Sequence, residues 1–294
     1  MSDEIGQPVT VSPGVLRIRA GNPSPMTYTG TNSYVVATGD ALTIIDPGPM
    51  LPDHQDALLS AVAGRNVTQI IVTHSHLDHA PLARPLADVL QCPVVAFGPS
   101  DAGRSAVMQT LAASGLAGGG EGVDPDFAPD KTVANGDTLP GGFSVLHTPG
   151  HMGNHIAIAW RDVAFTGDLV MGWASSLVSP PDGDLTDFMA SCHLMLQRPE
   201  TTYHPGHGDP VLDPKARLQW LIDHRNARSE QIVAALQTGP MTPVALTSLI
   251  YTDVPKAMHP AAARNVFAHL VDLTGKDRVQ PNGPLSQNST FALC

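Results

Sequence analysis

The sequence predicts a layered α/β body followed by a small helical unit. Three observations support this: short runs rich in Val and Ile, helical patterns between some of them, and a change of composition after Pro210. Of the 294 residues, 42% are hydrophobic and 15% are charged. This apolar content is enough to bury a sizeable core, and it excludes a chain that is disordered as a whole.

Strands are predicted near residues 15–19, 32–37, 42–46, 69–73, 94–97, 143–147, 155–160 and 163–166. The segment DHQDALLSAVA predicts a helix capped by Asp53, and a second helical pattern covers residues 80–90. The glycine-rich, acidic segment 113–130 is interpreted as a long loop that either shapes access to a site or is a disordered excursion.

The last part of the chain predicts three helices, over 214–237 and within PMTPVALTSLIYTDV and HPAAARNVFAHLVDLTGKDRVQ. Its size of about 80 residues suits a small appended domain. We therefore divide the chain into a catalytic domain over 1–213 and a helical C-terminal domain over 214–294.

Charge is distributed unevenly, with 8 basic and 22 acidic side chains in residues 1–213 and 8 basic and 5 acidic side chains in 214–294. An acidic body does not attract polyanions from a distance, which disfavours a nucleic-acid substrate. No apolar run approaches the ~20 residues of a membrane helix. With no secretory signal, and with three scattered cysteines that form no disulfide framework, the expected location is the cytoplasm.

The segment VTHSHLDHA places His74, His76, Asp78 and His79 directly after an apolar strand. In a chain of this composition the pattern HxHxDH is expected about 0.002 times by chance, so it is a specific signal. Imidazole nitrogens and carboxylate oxygens are ligands that zinc prefers. His74 and His76 can bind one ion, while Asp78 and His79 turn toward a second.

Three further candidate ligands follow predicted strands or Gly-containing turns, where folds place their chemistry. They are His151 in HTPGH, Asp168 in FTGD and His207 in YHPGHG. His155 lies four residues after His151. It is a candidate for holding the substrate or its developing negative charge.

The segments THSHLDH, TPGH, TGD and PGHG, in this order, resemble the metallo-β-lactamase-fold hydrolases. The segments NPSPMTYTGTNSYVV, LTIIDPG and HRNARSEQI are similar to the lactamase-beta-2-like branch. The resemblance implies an αββα sandwich with metals at one edge of its sheets, followed by a winged-helix-like unit.

The resemblance also implies a set of ligands. His74, His76 and His151 would bind a first metal, Asp78, His79 and His207 a second, and Asp168 both. Many β-lactamases of this fold have Cys where this chain has Asp168, so antibiotic hydrolysis is not expected as the main activity. His76 replaces the Glu of the diiron flavoprotein branch, and Ala80-Pro81 replaces a frequent Gly-Gly pair.

The predicted function is a dinuclear zinc hydrolase that uses a metal-bridging hydroxide to cleave an ester, thioester or lactone bond, with manganese or iron as alternative metals. Asp78 would orient the hydroxide and pass a proton to the leaving group. The expected substrate is a small anionic molecule, and the chain is a candidate homodimer.

Three alternatives remain open: a metal-dependent phosphodiesterase or endoribonuclease acting on RNA, a nucleic-acid-binding regulator, and a mononuclear iron dioxygenase. DNA binding is disfavoured, because the last predicted helix offers one Arg and no Lys.

Overall fold

The Val- and Ile-rich segments form two sheets that pack face to face, in a computed structural model that describes residues 5–294. The first sheet contains, in spatial order, β1 (Pro8–Ser12), β2 (Val15–Arg19), β3 (Asn32–Thr38), β4 (Ala41–Ile45), β5 (Val67–Ile71), β6 (Val94–Ala96) and β7 (Lys131–Thr132). Neighbours from β1 to β4 run antiparallel, and those from β4 to β7 run parallel.

The second sheet contains β8 (Thr138–Leu139), β9 (Phe143–His147), β10 (Ile156–Trp160), β11 (Val163–Gly167) and β12 (Thr202–Pro205). Only the β11–β12 pair is parallel in this sheet as described. All eight predicted strands are present. The prediction missed β7 and β8, because they are only two residues long, and β1 and β12, because they mix polar residues with proline.

The helices are α1 (Pro52–Val62), α2 (Ala83–Leu90), α3 (Ala106–Ala113), α4 (Leu185–Leu196), α5 (Pro214–Leu236), α6 (Pro243–Ile250) and α7 (His259–Gly275), with a 3₁₀ turn over Lys256–Met258. The sequence did not predict α3 and α4. The expected cap of α1 is wrong: Leu51 occupies the N-cap position without a side-chain hydrogen bond, and Asp53 lies inside the first turn. Pro52 explains the shift, because its fixed φ and missing N–H favour the first helical position. No helix within residues 5–294 combines the length and apolarity needed to cross a bilayer.

Three apolar clusters hold the layers together. The first lies between the sheets and includes Tyr34, Ile71, Phe143 and Ile158. The second covers the outer face of the first sheet with α1 and α2, and the third covers the outer face of the second sheet with α4 and α5. The arrangement is the expected αββα sandwich.

Helix α5 belongs to two cores. Leu218, Leu221 and Ile222 in its first half pack on the second sheet, whereas Ile232 and Leu236 in its second half pack with α6 and α7. A two-stranded hairpin of β13 (Val279–Pro281) and β14 (Phe291–Leu293) follows α7. The winged-helix-like unit is therefore present, with a hairpin that the sequence had not indicated. The division at 213 stays a prediction.

The glycine-rich loop packs against the body next to the first histidine cluster. Its Gly122 carbonyl accepts a hydrogen bond from Leu77 N at 3.0 Å, and its Asp124 N donates to the Ser75 carbonyl at 2.9 Å. Phe127 is buried in the core of the first sheet. Of the two interpretations, the structure therefore supports a loop that borders a site.

Candidate metal centre

The seven predicted ligands converge at one edge of the sandwich. His74, His76, Asp78 and His79 follow β5, while His151, Asp168 and His207 follow β9, β11 and β12. None of the seven is more than 7% exposed. The carboxyl ends of β4 and β5 and of β11 and β12 open toward this edge, because strands in a parallel pair end on the same side.

The first cluster consists of His74, His76 and His151. His76 Nδ1 lies 3.0 Å from both His74 Nε2 and His151 Nε2. The Nδ1–H of His151 donates to the Leu177 carbonyl at 2.7 Å, which leaves its Nε2 lone pair directed at the cluster. Three ring nitrogens thus face a common point, as the ligands of one ion would.

The second cluster consists of Asp78, His79 and His207. Asp78 Oδ2 lies 3.1 Å from His207 Nε2 and 3.4 Å from His79 Nε2. The Nδ1–H of His207 donates to the Gly30 carbonyl at 3.3 Å, so its Nε2 also faces inward. These donor atoms form a second group compatible with one ion.

Asp168 lies between the two clusters. Its Oδ2 is 3.3 Å from His207 Nε2 and 3.6 Å from His151 Nε2, and its Oδ1 is 3.5 Å from His79 Nε2. Gly206 permits this approach, because a Cβ there would collide with the Asp168 carboxylate and the His79 ring. Within residues 5–294, Asp168 Oδ1 is a buried oxygen that accepts no hydrogen bond.

The two clusters differ in charge. Burial and the neighbouring His151 lower the pKa of His76 to about 3, and burial lowers the pKa of His74 well below its usual value. Burial opposes protonation of His207, but Asp168 and Asp78 outweigh it and raise the pKa of His207 to about 9. The first cluster therefore offers neutral imidazoles, whereas the second holds protons that a metal would displace.

The carboxylates are ionised in this setting. Burial raises the pKa of Asp78, but His79 and His207 outweigh it and hold that pKa well below its usual range. Burial also raises the pKa of Asp168, but His207 and His79 outweigh burial and lower that pKa. Imidazole nitrogens, ionised carboxylates and an unsatisfied buried oxygen together fit a pair of divalent cations.

His155 has a different environment from the one predicted. It is fully buried, its Nε2 accepts a hydrogen bond from Asp168 N at 3.2 Å, and its Nδ1–H donates to Thr148 Oγ1 at 2.9 Å. Both ring nitrogens are thus committed within the protein. This geometry makes His155 a residue that positions the Asp168 backbone, and it argues against the predicted contact with substrate.

Sequence reasoning missed Asp46, which directly follows β4. Asp46 Oδ2 accepts hydrogen bonds from Thr73 Oγ1 at 2.7 Å and from His79 Nδ1 at 3.0 Å, and Oδ1 accepts one from Thr73 N at 2.7 Å. Thr73 Oγ1 in turn accepts from His74 Nδ1 at 3.0 Å. One carboxylate therefore fixes the tautomers of histidines in both clusters. Its position after an apolar strand, like that of Asp168, was the available signal.

Thr31 is a second missed residue. Its hydroxyl donates to Asp78 Oδ2 at 3.2 Å, and its backbone N–H donates to Asn22 Oδ1 at 2.9 Å. Thr31 thereby fixes one oxygen of the Asp78 carboxylate.

The centre lies at the base of a cleft of about 230 Å³. The body contributes Met26, Met171, Trp173 and Leu177 to its walls. The C-terminal unit contributes a further set of mainly apolar side chains, namely Tyr251, Val254, Met258, Ala261, Ala262 and Asn265. Glu121 is the one charged residue besides the predicted ligands in the lining that the structure describes, which includes no Lys or Arg.

Two families match the chain. The metallo-beta-lactamase superfamily matches residues 26–207, and the beta-lactamase associated winged helix domain matches residues 242–284. The beta-lactamase-like protein 2 homolog of Drosophila melanogaster is 28% identical over 289 residues, which cover 90% of this chain and 90% of that protein.

Two further proteins extend the comparison. The atrochrysone carboxyl ACP thioesterase of Aspergillus fumigatus is 27% identical over 233 residues, which cover 77% of this chain and 66% of that protein. A beta-lactamase domain protein from Burkholderia ambifaria has the same fold, with a TM-score of 0.78 and 22% identity over 100% of this chain and 96% of that one.

Proposed function

The chain belongs to the metallo-beta-lactamase superfamily, and we propose that this metal-dependent hydrolase cleaves a thioester of an apolar acyl group. The observation that carries the proposal is the cleft: a buried His–Asp cluster at its base, apolar walls above it, and no Lys or Arg among its described lining residues. The related thioesterase gives independent support for this choice among esters, thioesters and lactones.

Two zinc ions are the proposed metals. His74, His76 and His151 would hold one, and Asp78, His79 and His207 the other, with Asp168 contacting both. When bound, such ions lower the pKa of a water molecule and polarise the substrate carbonyl oxygen. Iron and manganese accept the same nitrogen and oxygen donors and remain alternatives.

The protein's own contribution to the reaction is orientation and proton transfer. The Asp78 carboxylate borders the cleft and would accept a proton from the attacking water. The new C–O bond replaces the C–S bond, and the proton passes to the thiolate or to solvent. A thiolate is a good leaving group near neutral pH, because the pKa of a thiol is about 8.5. No covalent acyl-enzyme is required.

The described cleft favours acyl transfer over RNA cleavage. Affinity for a polynucleotide comes largely from Lys and Arg contacts to several phosphates. Among the lining residues that the structure describes, the only charged side chain besides the proposed ligands is Glu121, which accepts a hydrogen bond from Ser24 Oγ at 2.7 Å. An anionic group on a small substrate would therefore have to bind at the metals themselves. We accordingly propose a substrate whose acyl portion is uncharged.

The test is a hydrolysis assay of zinc-, iron- and manganese-loaded protein against hexanoyl and benzoyl thioesters of N-acetylcysteamine and against single-stranded RNA. We expect thioester turnover, its loss on chelation and its return with metal. The Asp168→Ala variant should lose both bound metal and turnover. Cleavage of RNA without thioester turnover, or full turnover by metal-free protein, would refute the proposal.

A further inference from the structure

The walls of the cleft come from two parts of the chain, and the C-terminal unit supplies one of them. We propose that this unit forms the binding subsite for the acyl group, and that Met258 and Ala261 set the size of the group accepted. The inference rests on the proposed function, since it assigns the acyl portion of that substrate to a surface. Nothing about the family match requires it, because a winged-helix unit can serve several purposes.

The first argument is continuity. Met258 and Ala261 line the same cavity as Asp78 and Asp168, so a molecule whose carbonyl lies at the ligand cluster extends directly toward them. The lining contributed by residues 251–262 is almost entirely apolar. Apolar surface that borders a buried charged centre suits a substrate with a polar reacting end and an apolar remainder.

The second argument is that another part of the lining is attached to the same unit. We call residues 171–178 the wall loop. Arg217 on α5 donates to the carbonyls of Met171 and Ala174, each at 2.7 Å. Arg225, buried on the same helix, donates to the Ser176 carbonyl and to Asn265 Oδ1.

Helix α7 completes this attachment. Asn265 Oδ1 also accepts a hydrogen bond from Val178 N at 3.0 Å. The wall loop is therefore held by side chains of both α5 and α7. The attachment uses main-chain groups of the wall loop, which leaves Met171 and Leu177 free to contribute their side chains to the lining.

The third argument concerns size. A cleft of about 230 Å³ is smaller than the ~300–1,000 Å³ typical of pockets for drug-sized ligands, so it suits a short acyl group. Ala261 and Met258 both line the cleft. Ala261→Leu would add side-chain volume to this lining, whereas Met258→Ala would remove a flexible side chain from it. Enlarging the first or truncating the second should therefore shift the preferred acyl length in opposite directions.

The experiment measures binding as well as turnover. Dissociation constants of metal-loaded protein are determined for non-hydrolysable thioether analogues with ethyl, butyl, hexyl and octyl chains, and kcat/KM is measured for the corresponding thioesters. The variants are Ala261→Leu and Met258→Ala. Ala263→Leu is the matched control, because Ala263 lies on the same helix but outside the described cleft lining.

We expect Ala261→Leu to weaken binding of the longest analogue about tenfold or more relative to the shortest, which is the discrimination a mismatch of one or more methylenes produces. Met258→Ala should favour the longer chains, and Ala263→Leu should change neither preference. Chain-length preferences that are the same in all three variants would overturn the inference, even if thioesters are hydrolysed. Variant-dependent binding without any thioester turnover would uphold the subsite and refute the proposed function instead.

Discussion

The Asp46 carboxylate orients histidines in both halves of the candidate centre, so Asp46→Asn tests how the centre is held. The carboxylate accepts three hydrogen bonds, two from Thr73 and one from His79. An Asn amide has the same shape but presents an oxygen on one side only. If the Asn oxygen accepts from His79 Nδ1–H, the Asn NH₂ group faces the Thr73 N–H, so two donors meet. If the amide is turned over, the NH₂ group faces His79 Nδ1–H instead, and two donors meet there.

The magnitude follows from that conflict. A hydrogen bond to a charged group contributes about 1.5–3 kcal/mol, and Asn loses at least one such bond in either orientation. A loss of about 2 kcal/mol corresponds to a roughly 30-fold weaker metal affinity. This lies within the 10–100-fold range typical of residues that orient ligands. The ligands themselves remain, so the variant should still bind metal at high concentration and regain part of its turnover.

The assay is a titration of metal-free protein with zinc against a chromophoric chelator, at fixed pH. Asp53→Asn is the control, because Asp53 is exposed on α1. Thermal unfolding of both metal-free variants reports any general loss of stability. An Asp46→Asn protein that binds zinc within about threefold of the unaltered chain would show that the Asp46 hydrogen bonds do not hold His74 and His79 as ligands.

Two further predictions concern the wall loop and acid stability. Arg217→Met should raise KM for acyl thioesters about tenfold, because it removes the hydrogen bonds to the Met171 and Ala174 carbonyls, and it should leave metal content unchanged. The control Arg161→Met removes a similar contact of an Arg over a Trp ring and should not change KM. Steady-state KM values that are equal for Arg217→Met and the unaltered chain would contradict the role of Arg217. His54 is buried, and burial lowers its pKa to about 4. Only the unfolded chain therefore binds this proton between about pH 6.5 and 4, so stability falls as pH falls through that window. In urea unfolding across this pH range, His54→Gln should reduce the loss of unfolding free energy by about 3 kcal/mol, whereas the exposed His193→Gln should not change that loss. Parallel curves of unfolding free energy against pH for His54→Gln and the unaltered chain would contradict the role of His54.

The sequence predicted the features that depend on residues close to one another in the chain. The strands are recognisable from short runs of Val and Ile such as Ile70 and Ile71 of β5, which are adjacent in the sequence and both buried. The HxHxDH segment is recognisable for a related reason, since four chemically special side chains lie within six positions. Asp168 could be added because it follows a Gly-containing turn at the end of a predicted strand, and His207 because it follows a Gly-containing turn.

Features that depend on long-range packing could not be predicted. His155 has the residue type and spacing of a substrate contact, yet the fold turns its ring toward the Asp168 backbone. The cleft walls are assembled from segments more than 200 residues apart, Met26 and Met258 among them, and no local pattern marks either as a wall residue. Asp46 contacts Thr73 and His79 because the parallel pairing of β4 with β5 brings the ends of these two strands together.

Several basic side chains of the C-terminal unit have partners within the protein, and this bears on the idea of a nucleic-acid-binding regulator. Arg217 and Arg225 donate to carbonyls of the wall loop, Arg264 donates to the Ala117 carbonyl of the glycine-rich loop, and Arg278 pairs with Glu230. Most of α7 from Val266 onward is buried, whereas a recognition helix must present its side chains to a groove. Arginines that hold the cleft together are not available to neutralise phosphates. The basic side chains that α5 and α7 direct at the cleft loops therefore serve to build the cleft, and they give no support to a polyanionic partner.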